Sequence, residues 1–463
     1  MFGPKNAALI FSIFLVAHFA VGAEFRPGEV IVKYRDGFFR TRAAANKLYD
    51  AIGVKNVRRY SGLMKGYEHL VLEQNVDVQN AIASLKKDRT VEYAQPNYIL
   101  HVLPILKSDN RELNFNPTRA CWIPGIPVPP GCDDGDSSQP SSSTTRPTLK
   151  DAPSDITPAV NDPDADKSYG LKKVSAVEAW KTWRGNKNFV VADIDTGIDY
   201  NHEDLAFNVW RNPHPDATNK DVVGFDFVHN DGLPFDDNEH GTHTAGTIGA
   251  VGGNGIGTSG VAQRISLMAL KFITSQGDGT TADAIRAIDY AVQHGAKVLS
   301  NSWGGPGDSD NQALKDAIDR AKGQDVLFVA AAGNDGTDND SAPSFPAAFD
   351  EDNIISVAAT DQSDSLAYFS NYGKTTTHVA APGVDVYSTL PGNKYGNLSG
   401  TSMACPHVAG AAALLWSRHP SWNYKQVKAL LLKTVDPIGS LDGKVSTGGR
   451  INVLKALKAA DEL

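Results

Sequence analysis

Phe189-Val190-Val191-Ala192-Asp193-Ile194-Asp195-Thr196-Gly197 is an apolar, β-branched run that ends in a carboxylate and a glycine turn. A strand with one face in water would alternate apolar and polar residues; a run of this kind, Phe189 to Ile194, is buried on both faces. Comparable runs at Ile265 to Lys271, Lys297 to Asn301, Val326 to Ala331 and Ile354 to Ala358 are separated by helical stretches such as Ala282 to His294 and Gln312 to Lys322. That alternation predicts an α/β fold with a doubly wound, mostly parallel sheet, whose ligands lie at the carboxyl ends of its strands. Asp195 stands at such an end, although Asp-Thr-Gly also makes ordinary turns.

Three further segments carry polar groups in similar settings. His240-Gly241-Thr242-His243-Thr244-Ala245-Gly246 opens a small-residue helix that can turn one imidazole to a cleft. No Glu or Cys beside it completes a transition-metal set, so His243 reads as a core histidine. Val329-Ala330-Ala331-Ala332-Gly333-Asn334 is a buried strand ending in an amide, and Gly400-Thr401-Ser402-Met403-Ala404 places a serine at the mouth of an apolar helix. Singly, Asn334 could stabilise a turn and Ser402 could cap a helix. Together the four fit one chemistry. A serine hydroxyl is a poor nucleophile unless an imidazole takes its proton, a carboxylate orients that imidazole and fixed donors receive the oxyanion.

Asp195-Thr196-Gly197, His240-Gly241-Thr242-His243, Ala332-Gly333-Asn334 and Gly400-Thr401-Ser402-Met403-Ala404 resemble, in content and order, the signature blocks of the subtilisin family of serine proteases. The resemblance implies that Asp195 orients His240, that His240 is general base and then acid, that Ser402 attacks, and that Asn334 with the Ser402 N–H holds the oxyanion. It covers roughly Asn161 to Ala460, and Gly28 to His101 is similar to the family's inhibitory propeptide. It further implies that Ser302, Trp303 and Gly304 pair with an extended substrate. Ala331, Gly333 and Ser344 then form the first specificity pocket, which has no carboxylate and should take apolar or large side chains. Asp236, Asp237 and Glu239 would favour a basic residue one position further along. Asp204 and Asn254, the latter in Gly252-Gly253-Asn254-Gly255-Ile256-Gly257, resemble ligands of the family's structural calcium site, in a loop one residue longer than the common pattern.

The remaining chain divides accordingly. Residues 1–23 read as a secretory signal peptide cut after Ala23, with too short an apolar run for a comfortable membrane span. Residues 24–101 carry the order βαββαβ, a small α+β unit: strand Glu29 to Tyr34, helix Thr41 to Ile52, strands Val54 to Tyr60 and Gly66 to Leu72, helix Val76 to Asp88, strand Val91 to Tyr98. Residues 102–160, rich in Pro, Ser and Thr, read as an exposed linker and site of maturation cleavage, and 161–463 as the catalytic unit. Of three cysteines, Cys121 and Cys132 are close enough to bridge, and Cys405 reads as buried packing. The net charge of −9 argues against a nucleic-acid partner.

The expected protein is thus a secreted, monomeric, calcium-supported endopeptidase of proteins and peptides, made as a self-cutting zymogen with its propeptide as inhibitor. Its rivals are an inactive peptide-binding relative and an esterase. The C-terminal Ala460-Asp461-Glu462-Leu463 suggests retrieval to the endoplasmic reticulum as an alternative address. Asn339 and Asn397 lie in glycosylation sequons.

Overall fold

The computed structural model describes residues 23–36, 42–106, 146–150, 162–306 and 311–463. The expected signal peptide up to residue 22, the Cys121 and Cys132 pair and most of the expected linker lie outside these residues.

The N-terminal unit runs β1 (Phe25–Tyr34), α1 (Arg42–Ala51), β2 (Val54–Arg59), β3 (Tyr67–Leu72), α2 (Val78–Leu85), β4 (Val91–Val102). Its four strands are antiparallel in the order β4-β1-β3-β2. Val30, Val32, Leu70 and Leu72 point to one face and bury α1 and α2 through Tyr49, Ile82 and Leu85. The outcome matches the expected βαββαβ order, but β4 extends to Val102.

After the short helices α3 (Tyr169–Lys173) and α4 (Ala176–Ala179), the larger unit begins with β5 (Val190–Asp195), β6 (Gly224–Asp226), α5 (His240–Gly249), β7 (Ser266–Lys271), β8 (Asp278–Thr280), α6 (Thr281–Gln293), β9 (Val298–Asn301) and β10 (Trp303–Pro306). There follow α7 (Gln312–Gly323), β11 (Leu327–Ala331), β12 (Ser344–Phe345), β13 (Ile354–Thr360), β14 (Val379–Pro382) and the hairpin β15 (Val386–Leu390) and β16 (Lys394–Leu398). Then come α8 (Thr401–Arg418), α9 (Tyr424–Lys433), β17 (Asp436–Pro437), β18 (Gly449–Arg450) and α10 (Val453–Asp461). Nine strands form one sheet in the order β17-β18-β14-β13-β11-β9-β5-β7-β6, parallel except for β17 against β18.

Side-chain alternation explains the layers. Val191, Leu267 and Ala269 join one core with Ala245 and Ile248 of α5 and the apolar length of α8. Ala192, Ile194, Met268 and Leu270 face the other way, onto α6 and α7. Burial on both sheet faces is the reason the strands lack polar alternation. By the same parity Asp193 and Asp195 face α5 and α8.

A second sheet joins the two units: β10 pairs with β12 on one edge and antiparallel with β4 on the other, and β8 also pairs with β4. The N-terminal unit is seated on the starts of α6 and α7. Asn97 Oδ1 accepts the Ala282 N–H at 2.9 Å and Gln95 Oε1 accepts the Ala313 N–H at 2.8 Å. These side chains satisfy amide donors that a helix start leaves open. On α7, the Asp316 carboxylate accepts from Lys33 Nζ (3.1 Å), the Tyr93 hydroxyl (2.9 Å) and the Tyr67 hydroxyl.

Candidate active site

Asp195 ends β5 and His240 opens α5, so parallel topology delivers both to the carboxyl edge of the sheet. His240 Nδ1 lies 2.8 and 3.0 Å from the two Asp195 oxygens, both side chains being fully buried. The backbone N–H of Thr196 also donates to Asp195, at 2.7 Å. Glu239, immediately before His240, has φ 111°, a left-handed strain of about 1–3 kcal/mol in a residue with a side chain.

Asp236 explains how that strained entry is held. Its buried carboxylate accepts from Thr196 Oγ1, Thr242 Oγ1 and the backbone N–H groups of Asn238, Glu239 and Thr242. Asp237 accepts from the buried Lys271 Nζ at 2.7 Å. These bonds take Asp236 out of the expectation that Asp236, Asp237 and Glu239 favour a basic substrate residue, because its carboxylate is buried and engaged, whereas Asp237, paired with Lys271, stays exposed.

Ser402 is the second residue of α8, and its hydroxyl donates to the Ser302 carbonyl at 3.1 Å. His240 Nε2, buried, has no hydrogen-bond partner among the described residues. The acid–imidazole half of the expected triad is therefore bonded, while the serine rests on a nearer carbonyl. Asn334 follows β11. Its Oδ1 accepts from Thr401 N (2.9 Å) and Thr401 Oγ1 (2.7 Å), which fixes the amide so that Nδ2 points into the cleft. Gly400 leaves room there, since a Cβ would sit 3.1 Å from Asn334 Nδ2.

The cleft is filled by the chain itself. Val102 pairs with Trp303 and His101 with Gly304, and the Val102 N–H donates to the Gly277 carbonyl at 2.9 Å. Asn334 Nδ2 donates to the Pro104 carbonyl at 2.7 Å, and Leu106 exchanges two backbone bonds with Ser399, at 2.9 and 3.0 Å. An extended segment thus passes over Ser402 and buries it. The expected 101/102 boundary falls inside β4, just before its last residue, and the first residues of the expected linker are the ones that cross the cleft.

Trp303 divides its duties. Its backbone pairs with Val102, whereas its fully buried indole donates to the Ile194 carbonyl at 2.8 Å and packs on Phe272. Ala331 ends β11, and Gly333 adopts φ 113° where a Cβ would lie 2.3 Å from Asn371 Nδ2 and 3.1 Å from Ser344 Oγ. The structure therefore brings Gly333 and Ser344 together, with Asn371 as a neighbour that no motif signals.

Asp204 and Asn254 also meet: Asn254 Nδ2 donates to Asp204 Oδ1 at 2.8 Å, and Thr258 N–H to Oδ2 at 2.9 Å. Asp162, missed in the sequence because it sits alone beside a proline, accepts from the N–H groups of Gly253, Asn254 and Gly255. Burial pushes the Asp204 carboxyl up to about 7 and raises Asp162, and the charge of Asp162 adds to the rise at Asp204. Neither has an ion-pair partner among the described residues, where no group of three or more His, Cys, Asp or Glu is gathered for a metal. Two buried carboxylates, one amide and a glycine loop are donor types that a hard, oxygen-preferring cation takes, but all four carboxylate oxygens here accept protein N–H groups and Asn254 turns its Nδ2 to Asp204.

Other buried groups settle smaller questions. His243 Nε2 faces the carbonyls of Val386 (2.9 Å) and Gly396 (3.2 Å), and burial lowers its pKa to about 3, as suits a core histidine. Cys405 is buried, its thiol pushed up to about 12 by burial. Asn339 is buried and bonded to Ala332 and Asn371, out of reach of glycosylation in the fold, whereas Asn397 is exposed. Asp193, two residues before Asp195 in β5, is buried and accepts from Thr244 Oγ1 at 3.0 Å. Burial and the neighbouring Asp195 charge hold it far above the usual carboxylate range.

A bonded carboxylate and imidazole, a serine at a helix mouth and an amide gripping a peptide carbonyl, on a doubly wound sheet, define a serine endopeptidase with a peptide segment in its cleft. The profile of the subtilase family matches residues 186–454, and that of the fervidolysin N-terminal prodomain matches 16–97. Thermitase of Thermoactinomyces vulgaris is 40% identical over 299 residues, 64% of this chain and 99% of its own. Subtilisin DY of Bacillus licheniformis is 40% identical over 286 residues, 62% of this chain and 96% of its own. The chain belongs to the subtilase family and carries an N-terminal prodomain.

Proposed function

We propose that this protein is a secreted, self-processing endopeptidase zymogen in which Ser402 attacks the substrate carbonyl. His240 Nε2 takes the hydroxyl proton; Asp195 keeps Nδ1–H aligned and stabilises the imidazolium. The oxyanion is received by Asn334 Nδ2 and the Ser402 backbone N–H. The proton then passes from His240 to the leaving amine, and water repeats the sequence on the acyl-enzyme.

The observation that carries this reading is the bond from Asn334 Nδ2 to the Pro104 carbonyl, which treats a peptide of the protein's own chain as a substrate. On that geometry the first cut falls at Pro104–Ile105, within the range expected at or after His101. On that cut the residue before the scissile bond is Pro104, which is exposed, and buried Leu103 stands one position earlier, so the preference for apolar or large side chains rests on the lack of a carboxylate at the pocket positions. Ser302, Trp303 and Gly304 serve through their backbones, with Ala331, Gly333 and Ser344 as pocket. The prodomain, residues 24 to 104 on that cut, is the inhibitor. Asp162, Asp204 and Asn254 would hold calcium, which would supply rigidity to the loop. The working enzyme is a monomer.

Export rests on the N-terminal apolar run; among the described residues no helix is long and apolar enough to cross a membrane. Retrieval through the C-terminus has nothing to support it: Asp461 ends α10, paired with Arg418 at 2.7 and 2.9 Å. Labelling by a fluorophosphonate tests the enzyme directly: the wild type should label once processed and Ser402→Ala should not. An unlabelled, processed wild type would leave a peptide-binding relative.

A further inference from the structure

Residues 146–150 lie on the catalytic body by contacts that neither a linker nor a prodomain requires. Arg146 Nη1 donates to Asp226 Oδ2 at 2.8 Å, to Asp231 Oδ1 at 3.1 Å and to the Leu233 carbonyl at 3.1 Å, and Nη2 donates to the second Asp231 oxygen. Asp226 is fully buried at the end of β6; its other polar contacts come from His229, by backbone N–H and by Nδ1 at 2.8 Å. The Tyr200 hydroxyl donates to the Pro147 carbonyl at 2.8 Å. Asn201 treats the segment as a neighbouring strand, its Nδ2 donating to the Thr148 carbonyl at 2.9 Å and its Oδ1 accepting the Lys150 N–H at 2.8 Å. Leu149 packs against the core that holds α5 and α8.

Every one of these partners belongs to the catalytic body, and they come from two loops. Tyr200 and Asn201 follow Asp195; Asp226, Asp231 and Leu233 precede His240. The loops already touch through Ile198 N–H to the Pro234 carbonyl at 3.0 Å. Arg146 adds a planar fork across them, the geometry in which a guanidinium satisfies a buried carboxylate best. Taking it away would leave the Asp226 charge buried with only a histidine beside it, which folded proteins tolerate poorly.

We propose that residues 146–150 remain on the mature enzyme as a strap, so that trimming of the linker stops at or before Arg146. The proposal rests on the zymogen reading and narrows it: the cleft strand up to Pro104 leaves with the prodomain, and the strap does not.

Intact-mass and N-terminal analysis of the processed wild-type enzyme reads the outcome. A mature chain that starts between 105 and 146 is expected; one that starts at 147 or later overturns the proposal. In a second arm, Arg146→Gln should lower the Tm by roughly 5 °C or more, the scale for breaking one partner of a buried pair in a body of this size. Arg146→Lys, which keeps the charge and loses the fork, should fall between, and it carries the test if Arg146→Gln does not fold. An unchanged Tm overturns the strap. If the wild type is never cut, self-processing fails separately, and the melting arm alone then decides the strap.

Discussion

The side-chain amide of Asn334 holds the carbonyl of Pro104 at 2.7 Å, while its own oxygen is tied to Thr401. One donor therefore serves two proposed events, the turnover of substrates and the first cut of the precursor. Asn334→Ala is expected to fold, to lose on the order of 10²-fold or more in kcat with little change in KM, as such donors do in serine proteases of this kind, and to delay self-cleavage by a similar factor. Steady-state kinetics beside a precursor time course check it; unchanged kcat would leave Asn334 a turn residue.

Purified Ser402→Ala should stay whole, and the wild-type precursor should be cut first between Pro104 and Ile105. The segment is tethered across the cleft, so the first-order rate should not change with precursor concentration. Mass mapping after dilution over a wide range decides it. A rate that falls with dilution would mean that one molecule cuts another.

Asp316 is the charged hub beneath the prodomain, taking Lys33, Tyr67 and Tyr93 on one carboxylate. Truncating one partner of such a hydrogen-bonded charge at an interface typically costs about 2–5 kcal/mol. Inhibition of Asp316→Ala by added prodomain should therefore weaken by roughly 30-fold or more, with kcat on small peptides unchanged. Inhibition constants equal to those of the wild type would move the anchor elsewhere.

Asp204 would link the proposed calcium to pH. Burial, ahead of every other cause, raises its carboxyl from 3.8 to about 7, so the fold prefers it protonated. Without a cation, this group favours the fold most below pH 3.8, and that contribution is lost as pH rises toward and through 7. Calcium at the proposed site would bind the carboxylate, so its stabilisation should grow over the same window. Melting curves with calcium and with chelator should diverge from pH 5 to 8, and Asp204→Asn should bring them together. Coincident wild-type curves would remove the metal site.

Three histidines, His243 and His407 buried and His378 half-buried, work in the opposite direction. Burial depresses His243 and His378 to about 3 and His407 to about 4. The fold keeps them neutral, so their contribution is complete above the ordinary 6.5 and is lost as pH falls toward 3. Acid unfolding should take up protons in that interval, and His378→Gln should reduce the uptake by about one. Calorimetry in buffers of different ionisation heat measures it, and an unchanged uptake would exclude His378.

The fold and the chemical centre are readable in the chain because each rests on a local pattern. The run into Asp195 shows its two-sided burial, and each polar group sits at the end of a strand or mouth of a helix. What is hidden depends on contacts between distant residues. Nothing near Leu103 to Leu106 in sequence announces pairing with Ser399, so the segment reads as linker. Arg146 is one basic residue in a Ser- and Thr-rich stretch until Asp226 and Asp231 approach it. Asp162 lacks a motif because its partners are backbone N–H groups about ninety residues away. Asp236 looks available for a substrate, and only the fold reveals that Thr196 and Thr242 claim it.

The edge of β10 has one consequence for the time course of activation. With β12 on its other side, the edge formed by Trp303 and Gly304 accommodates a single extended occupant. On the proposed self-processing, a severed prodomain still bound there would compete with every incoming peptide and would be lost for good only when an enzyme already freed digests it. Each liberated molecule thus hastens the liberation of others. A population of precursors should stay silent through a lag and then turn on steeply, with a delay governed by the rarest event, the escape of the first prodomain.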